Sequence, residues 1–320
     1  MWCEPQFSAF NDKIMLDPTR RGRIESAVDS FGEFCRVDPQ LSVVLAGDPF
    51  LQGSVATGTA VRPLSSDEFD VDVIFPFALA RFNPPYRNPK SIFDWFISRL
   101  RTRELYANRL IPKDRCARID YAGDFHVDII PSTADVTEHR PYAVPARDLS
   151  DWISNDPLGF GNWVASIDQR GNGQDGNGDG YFVRCVRYMK RWRDEVFGEE
   201  SAVSSILLVT MLGKHDPSIK NYYPALTNPL FPEYQTDAAY LYDMLRLTHS
   251  CLQQPVSGAF CHPTLPNEDL ASGWDDNYLA LFLQRLDQCI NYIWNGIIAQ
   301  TEPDTIQHYR KAFRDTFPAA

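Results

Sequence analysis

"LQGSVATGTAVRPLSSDEFDVDVIFPF", residues 51–77, starts on a glycine–serine pair and runs into an apolar stretch broken by two aspartates one residue apart. The stretch 71–75 is β-branched and aromatic, which predicts a short buried strand. Side chains two apart on a strand share a face, so Asp70 and Asp72 project together while Val71 and Val73 enter the apolar layer. Adjacent carboxylates repel, and one takes up a proton unless a cation lies between them. A divalent metal is the simplest such cation. "DFHVDIIPS", residues 124–132, supplies a third acid: Phe125, Val127 and Ile129 alternate away from Asp128 in another predicted strand. Three carboxylates at one sheet edge suit two Mg²⁺ ions and an in-line displacement at phosphorus. Gly53 lets the backbone approach a phosphate closely, and Ser54 with nearby N–H groups supplies donors to its oxygens. Any one of these acids alone reads as a solvated strand end; the glycine–serine pair upstream shifts the balance toward a site.

Working outward, residues 11–35 carry apolar side chains at mostly helical spacing, predicting one long N-terminal helix interrupted at Pro18. Short β-rich runs follow at 42–46, 60–61, 71–75 and 125–130, with an amphipathic helix at 91–108 built on Ile92, Trp95, Phe96 and Leu100. From about residue 149 no alternating strand is visible, whereas 181–196, 204–212, 237–252 and 277–298 each repeat at 3.6 residues. The expectation is an α/β (α+β) first domain over residues 1–150 and a mostly helical lobe over 151–320. "GNGQDGNGDG" at 171–180 reads as a flexible connector.

The 320 residues, 44% hydrophobic and 13% aromatic, are ample for a packed core. A net charge of −11 disfavours a protein that grips long nucleic acid through many phosphates, yet admits a small anion escorted by divalent cations. Seven scattered cysteines without a CxxC pair argue for reduced thiols. The first ten residues do not resemble a signal peptide and no apolar run reaches the roughly 18 residues of a membrane span, which predicts a cytoplasmic protein.

Other signals carry blander readings. Asp175, Asn177, Asp179 and Gly180 match half of a calcium loop, but Val186 stands where its bidentate glutamate belongs. His249, Cys251, Cys261 and His262 lack zinc-ligand spacing. Arg99, Arg101, Arg103, Arg109, Lys113, Arg115 and Arg118 read as a solvated basic face, and His126 as a structural histidine. Arg184, Arg187, Lys190 and Arg191 recur every three to four residues in an acid-free stretch, a positive stripe whose alternative is a solvated helix face.

"GSVATGT…DEFDVDV" followed by "FHVDIIP" resembles the signature of the polymerase-beta-like nucleotidyltransferases. Within them the chain is similar to the bacterial cGAS/DncV-like nucleotidyltransferases, the CD-NTases that make cyclic oligonucleotides for anti-phage signalling (CBASS). "DWISNDPLGFGNWV" (151–164), "VRYMKRW" (186–192), "VSSILLVTML" (203–212) and "NEDLASGW" (267–274) extend the resemblance over most of the chain. It implies a polymerase-beta-like core with a helical lobe closing a nucleotide cleft, and Asp70, Asp72 and Asp128 as metal-binding acids. It further implies Gly53 and Ser54 as the phosphate-contacting turn, Lys190 as a donor-triphosphate contact and Ser205 as its helper. Ser204 and Ile206 depart from the family's usual neighbours of that serine. The implied activity is Mg²⁺-dependent joining of NTPs (ATP, GTP, UTP or CTP) into a cyclic di- or trinucleotide second messenger, with pyrophosphate released. Two Mg²⁺ ions are expected, with Mn²⁺ as a substitute. The alternative is transfer to a small-molecule or RNA hydroxyl. Implied partners are a downstream effector that binds the product and a ubiquitin-transfer-like protein acting on the tail at Ala320.

Overall fold

The computed structural model describes residues 4–64, 68–84, 86–121, 125–134, 142–171, 173–198, 201–218 and 233–319. The N-terminal helical stretch is split at Pro18: α1 spans Glu4–Ile14 and α2 spans Pro18–Val37. The Asp17 carboxylate accepts from the Arg20 N–H and caps α2, and proline at the first helical position sacrifices no hydrogen bond. The one-turn α3 (Leu41–Val44), β1 (Phe50–Leu51), the one-turn α4 (Gly53–Ala56) and β2 (Phe69–Phe77) follow. Next come α5 (Pro89–Leu100), capped by Asn88, and the short α6 (Glu104–Ala107). Then come β3 (Leu110–Pro112), β4 (Ala117–Tyr121), β5 (Phe125–Thr133), β6 (Tyr142–Pro145) and β7 (Trp152–Asn155). The remainder is helical: α7 (Pro157–Gly171), α8 (Tyr181–Phe197), α9 (Ser205–Lys214), α10 (Asp237–Leu252), α11 (Asp276–Ile298) and α12 (Glu302–Phe313).

The architecture is mixed α/β with a mostly helical second half, as expected, but several local readings change. Residues 42–44 belong to α3 instead of a strand and Leu45 makes only an isolated bridge with Phe77, because Asp38 Oδ1 accepts from the N–H groups of both Gln40 and Leu41 at 2.9 Å and caps a helical turn. Residues 60–61 reduce to one isolated bridge between Met15 and Val61. β3 and β4 arise inside the supposed solvated basic run. β7 lies in the half read as strandless, where it pairs with β6 as an antiparallel hairpin.

Two compact units divide the chain: residues 17–56 with 65–161, and residues 1–16, 57–64 and 162–320. These boundaries differ from a single division at residue 150, because α1 belongs with the late helices. Phe7 meets the rings of Tyr309 at 5.0 Å and Phe317 at 5.2 Å, and Phe10 stacks on Tyr188 at 5.1 Å. Burying two phenylalanines against these late elements holds α1 there, and polar bonds such as Tyr188 Oη to the Phe7 carbonyl at 3.3 Å and Gln6 Nε2 to Glu302 Oε1 at 2.7 Å add to it.

The first unit is built on a seven-stranded mixed sheet ordered β1-β2-β5-β4-β3, with β6 beside β5 and β7 beside β6. Only the β2–β5 pair is parallel among these pairings. α2 and α5 cover one face: Phe75 stacks on Phe96 at 4.9 Å and meets Phe31 at 6.2 Å. The second unit buries four cations of α8. Arg184 grips Asp237, which also accepts from Tyr188 Oη at 2.5 Å, and Arg187 bonds Asp179 at 2.7 Å, the Gly58 carbonyl at 2.7 Å and Asn11 at 3.1 Å. No described helix is long and apolar enough to cross a membrane.

Candidate active site

β2 and β5 run parallel with Asp72 opposite Asp128 and Asp70 opposite His126, while antiparallel β4 sets Arg118 opposite Asp128 and Asp120 opposite His126. Partners in register share a face. Six polar side chains therefore line one side of three adjacent strands, and Val71, Val73, Val127, Ile129 and Ile119, all buried, line the other. Farther along the polar face Ile74, Ile130 and Val144 form a buried apolar patch, extended by Phe50 and Cys116. The acids thus stand at the edge of a dry floor, which lowers the dielectric around them.

The glycine–serine turn is drawn to β2 by the Gln52 N–H, which donates to the Asp72 carbonyl at 2.9 Å. Asn155 of β7 donates to Gln52 Oε1 at 3.3 Å. Gly53 has φ +68°, and a Cβ there would lie 2.6 Å from Asp72 Oδ2. Glycine is required at this point on both counts: only it enters the left-handed region freely, and only it leaves room for the carboxylate. Ser54 follows as the second residue of α4.

Burial first, then the neighbouring Asp128 and Asp70 carboxylates, push the Asp72 pKa up to about 6, against the pull of Arg115 and Arg118. Arg118 supplies the local counter-charge. Its Nε donates to Asp128 Oδ1 at 2.8 Å, its Nη2 donates to Asp128 Oδ2 at 2.8 Å, and the same Nη2 stands 2.7 Å from Asp70 Oδ1. Burial and the nearby Asp128 push the Cys116 thiol up to about 12 and keep it protonated. Asp70, Asp72 and Asp128 thus share one polar face, with a guanidinium nitrogen seated between Asp70 and Asp128, and their oxygens are of the hard type that divalent cations prefer.

Arg118 escapes the sequence reading because it stands in a basic run, although the alternation Ala117, Arg118, Ile119, Asp120 marks it as strand-borne, and Ala117 and Ile119 are buried. Two others of that run are also engaged: Arg99 pairs with Asp38 at 2.5 Å, and Arg103 bonds Ser30 and lies over Tyr106. A second group lies beside the acids. His126 Nε2 meets Glu68 Oε2 at 2.7 Å, while its Nδ1 faces Asp120 Oδ1 at 3.6 Å, both of those atoms buried without a hydrogen-bond partner among the described residues. Glu68, Asp120 and His126 bring one ligand atom each within 4.8 Å of one another, a spacing that admits a cation.

In the helical unit the positive stripe is neither solvated nor free. Arg184 and Arg187 are committed to Asp237 and Asp179, and Arg191 to the Arg62 carbonyl, so these arginines pin the unit together. Lys190 differs: it is buried, and its Nζ bonds only Thr59 Oγ1, at 3.2 Å, among the described residues. Burial, then the Arg193 charge, push its pKa down to about 7 despite Asp194. Ser204 is the N-cap of α9, its hydroxyl accepting from the Leu207 N–H at 3.3 Å, while Ser205 Oγ accepts from Arg193 Nη1 at 3.0 Å. The two serines thus do different work.

The glycine-rich connector is tied down over its described part: Asp175 Oδ1 accepts from the N–H groups of Asn177 and Asp179, and Asp168 accepts from Gly180. Those bonds and the Arg187 pairing occupy the carboxylates of the half calcium loop. His262 Nδ1 accepts from the Thr264 and Leu265 N–H groups, a loop role. Asp124 and Ala320 lie outside the described residues.

A c-di-GMP synthase of Roseivirga ehrenbergii is 31% identical over 156 residues, covering 48% of this chain and 41% of that protein, so the match spans about two fifths of the relative's length. Over nearly the whole chain the fold is that of CdnC from E. coli MS115-1, solved in a HORMA-deltaN complex (TM-score 0.75, 14% identity, 99% of this chain and 98% of that one). It is also that of the CD-NTase CdnG of Bradyrhizobium diazoefficiens, solved with GTP (TM-score 0.72, 16% identity, 97% and 94% covered). The Second Messenger Oligonucleotide or Dinucleotide Synthetase domain matches residues 1–167, more than half of the sequence, and the chain belongs to that family of bacterial cGAS/DncV-like nucleotidyltransferases.

Proposed function

We propose that the protein is a divalent-metal-dependent nucleotidyltransferase that joins NTPs into a cyclic di- or trinucleotide for anti-phage signalling in the cytoplasm. The observation that carries this reading is the register of β2 and β5, which sets Asp72 beside Asp128 and Asp70 on the same face next to the Gly53 turn. Two Mg²⁺ ions, or Mn²⁺ in their place, would be held by Asp70, Asp72 and Asp128, and when bound they supply charge neutralisation and a lowered pKa for the attacking ribose hydroxyl. The hydroxyl gives up its proton to solvent as its oxygen bonds to the α-phosphorus of a second nucleotide, the bond to the bridging oxygen of the β-phosphate breaks, and pyrophosphate leaves. A second transfer closes the ring.

The chain's own residues position these groups. The missing Cβ at Gly53 allows backbone N–H groups and the Ser54 hydroxyl to approach the donor phosphates. Lys190 and Ser205 are assigned to the donor triphosphate. A buried ammonium with a single hydroxyl partner among the described residues has donors to spare and gains from an anion. The relative named for c-di-GMP synthesis and the fold neighbour solved with GTP support purine nucleotides as substrates. A downstream effector would bind the product, and conjugation of the tail by a ubiquitin-transfer-like partner belongs to the same reading.

Incubation with the four NTPs and Mg²⁺, without any acceptor, is expected to yield a phosphatase-resistant product whose mass is that of a cyclic oligonucleotide, with one pyrophosphate per linkage. NTP consumption that starts only when a small molecule or RNA is added would replace this reading with the transferase alternative. Lys190→Met removes a cation whose burial is costly, so the variant is expected to melt no lower than wild type while its KM for NTP rises about tenfold. Unchanged KM by initial-rate measurement would remove Lys190 from the triphosphate site.

A further inference from the structure

Arg118 occupies a particular position in the acid cluster. Its Nη2 is 2.7 Å from Asp70 Oδ1 and 2.8 Å from Asp128 Oδ2, so one nitrogen lies between carboxylates from two neighbouring strands. Its Nε takes the remaining oxygen of Asp128 at 2.8 Å. The fork therefore leaves neither Asp128 oxygen without a donor. The guanidinium keeps its charge at every working pH, and it is largely shielded, with 19% of its side chain exposed. A divalent ion entering between Asp70 and Asp128 meets this charge at contact distance, where the field is poorly screened.

We infer that Arg118 is a built-in cationic placeholder: it neutralises Asp70 and Asp128 in the metal-free protein and is displaced when a divalent ion binds. The inference rests on the proposed function, since it takes Asp70 and Asp128 as metal ligands, and it adds a consequence. The site loads by exchange of one cation for another, so its metal affinity is lower than three bare carboxylates would give, and the cluster stays compact while it is empty. Arg115 also pulls on Asp72, but among the described residues it forms no ion pair with these carboxylates.

The test is Mn²⁺ binding to the nucleotide-free protein at pH 7.5, read from the free-Mn²⁺ electron paramagnetic resonance signal, for wild type, Arg118→Met, Arg118→Lys and Asp128→Asn. Arg118→Met is expected to bind Mn²⁺ at least tenfold more tightly than wild type. Arg118→Lys, which keeps the charge but loses the fork, is expected to fall between them. Equal or weaker binding in Arg118→Met overturns the placeholder and makes Arg118 a support for the ligands. Should Arg118→Met fail to fold by circular dichroism, Arg118→Lys decides: tighter binding sustains the inference and unchanged binding ends it. Asp128→Asn separates the two levels. If wild-type binding is lost in Asp128→Asn but does not tighten in Arg118→Met, only the placeholder fails. If Mn²⁺ binding ignores Asp128, the metal-ligand assignment fails and takes the placeholder with it.

Discussion

Asp72→Asn is expected to raise the melting temperature of the metal-free protein by a few degrees at pH 7.5 and to lower NTP turnover by roughly 10³-fold. Both follow from one environment. The Asp72 carboxyl titrates near 6 in the fold, above its ordinary 3.8, because burial and two carboxylate neighbours oppose its charge. A raised carboxyl pKa means that its contribution to stability is complete below about pH 4 and is lost as pH rises through 6. At pH 7.5 the metal-free protein therefore carries the whole penalty, on the order of 2–3 kcal/mol. Asparagine has nearly the same shape without the charge, so the penalty disappears; below pH 4 the two proteins should melt alike. The same substitution removes a proposed metal ligand, whose contribution to transition-state charge is several kcal/mol. Mg²⁺ should accordingly raise the melting temperature of wild type and leave that of the variant nearly unchanged. Melting curves from pH 4 to 8 with and without Mg²⁺ read all of this. A variant less stable than wild type at pH 7.5, or one that keeps its turnover, would show that Asp72 does not bear the strain assigned to it.

That strained carboxylate is visible in the sequence, and the reason is strand geometry. Asp70 and Asp72 alternate with buried valines, so the shared face can be read from period two alone. Their meeting with Asp128 can be expected from the sequence, but local pattern does not dictate it, since it depends on β2 and β5 being parallel neighbours in one register. Arg118 is hidden by its company: Arg109, Lys113 and Arg115 nearby make a strand look like a solvated run. The arginines of α8 mislead for a different cause. The acid of Arg184, Asp237, lies 53 residues along the chain, and the carbonyls that Arg187 and Arg191 bond, of Gly58 and Arg62, lie 129 residues back, so no local pattern announces these partners. Local pattern also misleads at residues 42–46, where Val43 and Val44 suggest a strand but the Asp38 carboxylate caps a turn of helix. The placement of α1 with the late helices is likewise a tertiary fact, carried by aromatic contacts among residues some 300 positions apart, such as Phe7 with Phe313.

Gly53→Ala is expected to lower turnover at least 10²-fold while reducing stability by only about 1 kcal/mol, and a comparison with Gly58→Ala isolates the cause. Both glycines sit in the left-handed region, at φ +68° and +70°, so alanine meets the same backbone strain at each. What differs is the space. A Cβ at position 58 meets nothing nearer than 3.7 Å, an ordinary contact, whereas at position 53 it stands 2.6 Å from Asp72 Oδ2. Something must shift there, and the end of the Asp72 side chain is freer to move than the backbone that carries the turn. The turn itself is held to β2 through Gln52 and the Asp72 carbonyl, so displacement falls on the carboxylate. A shift of about 1 Å at a reacting centre is enough for a hundredfold loss, because in-line attack tolerates little misplacement. The methyl also stands where a donor phosphate would approach the backbone. Turnover and melting temperature measured side by side distinguish the readings: Gly58→Ala should lose stability comparably and keep most of its activity. Equal activity losses in the two variants would trace the effect to backbone strain and deny the Gly53–Asp72 approach any part in catalysis.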